Sequence, residues 1–166
     1  LGDVISGSSL KCLIIGPKGT RIPMTDPEVT ELNFEGQNFS PVEVTLVAAA
    51  TSTLAVVVDL NISEAIIGDA GATLVEAISA SSSLEFVTIG NGLRLPLKDI
   101  YGSNILDATD KGIEAGGATV IAWWLTTDAA AAVTKLVLSE CPLTGGGWRD
   151  VDKDLTGVTT LFDALK

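Results

Sequence analysis

The chain has 166 residues, 46% hydrophobic and 19% charged, with a net charge of −11 and a mean hydropathy of +0.43. This balance excludes wholesale disorder, and the negative charge argues against nucleic acid and anionic lipid as partners. With no histidine and two cysteines, Cys12 and Cys141, the sequence excludes a Ser-His-Asp or Cys-His site, a histidine-ligated metal and a disulfide framework within this chain.

The first element is the alternating run Leu10, Leu13, Ile15, followed by an Arg21-Ile22-Pro23 segment. Period-two alternation predicts a short strand, and the proline predicts an extended or single-turn return rather than a helix. Val29, Leu32 and Phe34 predict a second strand. Ser40-Pro41 then reads as an N-cap and first helical residue, opening a helix through Val42, Leu46 and Ala49. Val57, Leu60 and Ile62 give a third strand. Leu74, Ala77 and Ile78 share one face of the helix that follows.

Leu84, Val87 and Ile89 restart the pattern, followed by Arg94-Leu95-Pro96. Ser103, Leu106 and Ala108 form a degraded version. Val120, Ile121, Trp124 and Leu125 predict another helical stripe; Val133, Leu136 and Leu138 predict a strand, and Val158, Leu161, Phe162 and Leu165 a last helix. No stretch approaches the roughly 18 apolar residues of a membrane-spanning helix. With no signal peptide visible in the chain, an intracellular or organellar location is favoured.

The segment from Ser8 aligns with that from Ser82: Leu10 with Leu84, Ile15-Gly16 with Ile89-Gly90, and Arg21-Ile22-Pro23 with Arg94-Leu95-Pro96. One domain, 1–166, is expected, built from two copies of about 74 residues, roughly 8–81 and 82–166.

Val57-x-x-Leu60-x-Ile62, then Ile67-Gly68-Asp69-x-Gly71, then Leu74…Ala77-Ile78 resembles a leucine-rich repeat of the ribonuclease-inhibitor type. Val133-TKLVLSECPLTGGG is similar, with Cys141 where that family accepts Asn or Cys. The resemblance implies an α/β solenoid of alternating short and long repeats. A parallel sheet would line its concave side, with helices and short extended turns on the convex side. The family's regular asparagine ladder is missing: Lys18, Gln37, Ala65, Gly92, Lys111 and Cys141 stand in its place.

On such a sheet the side chains between the buried aliphatics point outward. Those expected to bind a protein partner are Glu31, Asn33, Glu35, Asp59, Asn61, Phe86, Thr88, Asp107 and Lys135. Trp124 and Trp148 are candidate anchors at the rim. The resulting expectation is a non-catalytic protein-interaction or assembly module, such as an accessory or scaffold subunit of a larger complex. No cofactor or metal is expected, and a protein partner should cover an uncapped end or the concave face. An extracellular ligand-recognition domain is the alternative. A carboxylate hydrolase built on Glu31 and Asp59 stands behind both. Asp150, Asp152 and Asp154 alternate in an oxygen-rich run, but the sixth-position glycine and closing glutamate of a calcium loop are absent, so they read as a solvated acidic loop.

Overall fold

The computed structural model describes residues 11–24, 26–145 and 153–166. β1 (Cys12–Ile15) and β2 (Thr20–Pro23) form an antiparallel hairpin with Leu13 opposite Ile22. β3 (Glu31–Asn33), β4 (Asp59–Asn61) and β5 (Phe86–Ile89) run parallel, with Leu32, Leu60 and Val87 in register. β6 (Leu93–Pro96) closes that sheet antiparallel to β5. β7 (Ile105–Asp107) and β8 (Lys135–Val137) make a separate parallel pair. The helices are α1 (Pro41–Thr53), α2 (Gly71–Ala80), α3 (Ala115–Trp124) and α4 (Thr156–Ala164), with single 3₁₀ turns at Gly68–Ala70 and Asp128–Ala130.

The solenoid expectation is therefore corrected. Among the described residues there is no continuous parallel ribbon but three short sheets, one of them mixed, in a small α/β fold. The reason lies in the two Arg-x-Pro segments. They do not cross to the helical side as extended turns. Glycines with φ of 71° and 65° at Gly16 and Gly19, and of 53° and 79° at Gly90 and Gly92, turn the chain back within the sheet. β6 thus takes the second edge of β5, and β7 cannot pair there. Pro23 and Pro96 close their strands at the last position, where a missing N–H is tolerated.

One side of the sheets is sealed by the helices. Leu32, Leu60, Val87, Leu95 and Leu106 are at most 2% exposed. α1 opens as expected: Ser40 is the N-cap and Pro41 the first helical residue. The Glu43 carboxylate accepts the Ser40 N–H at 2.7 Å and also the Ser40 hydroxyl, a reciprocal cap that satisfies an orphan donor of the first turn. At α3 the Glu114 carboxylate accepts from Gly116 and Gly117 and reaches across to the Gly68 N–H at 2.9 Å. It ties the start of α3 to the turn before α2. Glycine is required there: a Cβ on Gly116 would lie 2.4 Å from the Gly68 carbonyl oxygen.

Trp124 is not a rim anchor. It is fully buried, its indole N–H donates to the Pro96 carbonyl at 2.6 Å, and Tyr101 meets its ring edge-on at 5.5 Å. Its neighbour Trp123, about 100° around the helix, is the partly buried one. The expected α4 stripe is split: Leu161 is buried, whereas Phe162 and Leu165 are exposed.

Candidate functional site

The helices cover the Leu32–Leu60–Val87–Leu95 face, so the alternate residues of β3 to β6 lie on the opposite, open face. Register places Glu31, Asp59, Phe86 and Pro96 in one row, and Asn33, Asn61, Thr88 and Arg94 in the next. The structure thus brings together seven expected residues: Glu31, Asn33, Glu35, Asp59, Asn61, Phe86 and Thr88. Asp107 and Lys135 belong to the separate β7–β8 pair. Trp148 lies outside the described residues.

The centre of the face is organised by Arg94, which the sequence reading passed over. Its guanidinium donates to Asp59 Oδ2 at 2.7 Å and lies 4.0 Å from the centroid of the Phe86 ring. The two contacts hold a planar cation between a carboxylate and an aromatic face, a geometry that suits arginine better than lysine. The alternation Leu93-Arg94-Leu95, with both leucines buried, was the available signal.

Several neighbours are committed to the local backbone. Asn33 Oδ1 accepts the Glu35 N–H at 3.1 Å, and Asn61 Oδ1 accepts both the N–H and the hydroxyl of Ser63. Asp107 does the same for the Thr109 N–H at 2.9 Å. These Asx turns end β3, β4 and β7. The Thr109 hydroxyl and N–H, with Lys135 and Lys111 nearby, hold the Asp107 carboxyl below its ordinary value. Thr88 is only 9% exposed and is covered on the face it was expected to present. Glu31, Asn33, Glu35 and Arg94 are exposed; Asp59, Asn61 and Phe86 are half-buried.

Glu31 stands directly opposite Asp59, as a carboxylate pair would require. Asp59, however, is ion-paired with Arg94. A cleft of about 380 Å³ elsewhere is lined by Glu64, Asn91, Glu114 and Asp154 among others. Two of its three carboxylates are engaged in folding: Glu114 holds three backbone N–H groups, and Asp154 accepts the Thr156 N–H at the start of α4. Asp150 and Asp152 fall outside the described residues. Among the described residues no three His, Cys, Asp or Glu side chains cluster as a metal site, and no helix is long and apolar enough to cross a membrane.

The chain matches no protein-family model and no curated protein.

Proposed function

We propose that the chain is a non-catalytic protein-interaction module whose partner seats on the open face of β3 to β6. One observation carries this reading: a half-buried aromatic and an arginine, Phe86 and Arg94, are pre-organised at the centre of an otherwise acidic face. Aromatic and arginine side chains dominate binding hot spots, and holding them in place beforehand lowers the ordering cost of association. Glu31 and Glu35 flank that centre and favour a partner carrying basic or hydrogen-bonding groups.

A photo-reactive residue at Glu31 tests the reading in the protein's native setting. We expect one discrete cross-linked protein, lost when Phe86→Ala is added. The same probe at Ser79, on exposed α2, should not yield it. Equal cross-linking from both positions, or none from Glu31, would defeat the assignment.

A further inference from the structure

β1 and β8 carry the two halves of a junction that the chain already forms internally. Inside the fold, β4 pairs in parallel with β5, the first strand of the β5–β6 hairpin, with Asp59, Leu60 and Asn61 opposite Phe86, Val87 and Thr88. β1 is likewise the first strand of a hairpin, whose connection is one residue longer: Cys12 is opposite Pro23 and Leu13 opposite Ile22, as Phe86 is opposite Pro96 and Val87 opposite Leu95. Among the described residues β1 has no strand on its other side. β8 in turn pairs with β7 as β4 pairs with β3, and its second side has no strand among the described residues.

The backbone beyond the strands also matches. Internally, the Glu64 N–H donates to the Gly90 carbonyl at 2.8 Å, with both residues left-handed, φ 65° and 53°. Beside β8 and β1, Glu140 and Gly16 hold the same conformations, φ 61° and 71°. The two turns are therefore already shaped, and the Gly16 carbonyl, which accepts the Gly19 N–H at 3.2 Å, would take the Glu140 N–H as a second donor.

Apolar side chains are exposed at these ends, as they are at Ile66, Ile100 and Ile105. Leu60 and Val87 are fully buried at the internal junction, whereas Leu136 and Leu13 remain half-buried. On the open face the internal junction sets Asn61 beside Thr88. The corresponding residues at the ends are Val137 and Ile14, the latter 67% exposed. On the helical side, α4 leaves Phe162 and Leu165 uncovered, and α1 leaves Val42 uncovered at 71%. Between Lys11 and Met24 the first hairpin carries Lys11, Lys18 and Arg21 and no carboxylate, in a chain of net charge −11.

We propose that copies of this chain associate head to tail, β8 of one adding in parallel to β1 of the next, with Lys135, Leu136 and Val137 opposite Cys12, Leu13 and Ile14. Such a contact is heterologous, so it propagates into a ring or a filament rather than closing as a two-fold dimer. It is independent of the partner face on β3 to β6, and either can fail without the other. The register makes one further demand. Arg94 reaches Asp59 across the internal junction, and the matching pair at the ends is Arg21 and Lys135, two like charges. Lys135→Asp should restore the attraction.

Sedimentation velocity on the full chain, from about 1 μM to about 1 mM, is the test. The wild type should pass from monomer to species larger than a dimer. Ile14→Lys and Val137→Lys should each weaken association at least about tenfold, since each buries a charge in the junction. Circular dichroism must show both variants folded. Mixed together, the two variants should form a one-to-one complex, because each keeps one intact end. Lys135→Asp should tighten association at low salt. A wild type that stays monomeric throughout, single variants that still assemble, a mixture that does not pair, or no tightening by Lys135→Asp would each overturn the proposal.

Discussion

Replacing Trp124 by phenylalanine keeps most of the buried ring and deletes the indole donor to the Pro96 carbonyl. The orphaned acceptor should cost about 1–3 kcal/mol, and Trp124→Ala about 3–5 kcal/mol through the cavity it leaves. Chemical denaturation of the two variants checks this; two equal losses would mean that the ring packing adds little beside the hydrogen bond, and a phenylalanine variant as stable as the wild type would mean that the hydrogen bond matters little. Glu43 gives a pH-dependent case. The Ser40 hydroxyl and then its N–H hold the Glu43 carboxyl below the ordinary 4.5. A lowered folded value means that the cap's charge-dependent contribution is complete above about pH 4.5 and is lost as pH falls through the folded value. The stability gap between wild type and Glu43→Gln should therefore narrow on acidification below that point, measured by urea unfolding at each pH. At this scale Ser40 and Pro41 were legible as N-cap and first helical residue, because a cap is decided within a few residues, whereas the Glu43 that completes it was passed over. Arg94 was not, because its partners Asp59 and Phe86 are brought to it only by strand pairing.

The elements fit together through a close approach of α3 to the turn before α2. Gly116→Ala would push a Cβ to 2.4 Å from the Gly68 carbonyl and 2.6 Å from its nitrogen. Both are backbone atoms of the turn before α2, so the helices must separate, and a loss of about 1–3 kcal/mol is expected. Gly102→Ala, where a Cβ meets nothing within 4 Å, should change stability little. Thermal melts of the pair isolate the packing cost; equal melting temperatures would mean that α2 and α3 can shift freely. The strands β3, β4 and β5 and their shared register were readable from Leu32, Leu60 and Val87, because period two fixes which side chains are buried. The fate of Arg21-Ile22-Pro23 and Arg94-Leu95-Pro96 was not. Proline rules out a helix in either place, yet an extended return outside the sheet and an edge strand within it satisfy the same local pattern. Positive φ at the paired glycines selects the edge strand.

Across the whole molecule, that choice breaks one expected ribbon into sheets of unequal protection, with a measurable consequence. The central sheet has four strands, and its row Leu32, Leu60, Val87 and Leu95 is at most 2% exposed. The β7–β8 sheet has two strands, and although Leu106 is fully buried, its partner Leu136 is half-buried. A two-stranded sheet depends on what packs against it, and local opening follows the least buried apolar contacts. Amide hydrogen exchange on dilute protein should therefore rank Leu60 and Val87 among the slowest sites, with the β8 amides exchanging at least about tenfold faster. Leu106, fully buried but in the two-stranded sheet, should fall between them. Uniform protection across all eight strands would contradict this ordering and would mean that the three sheets open together as one cooperative unit.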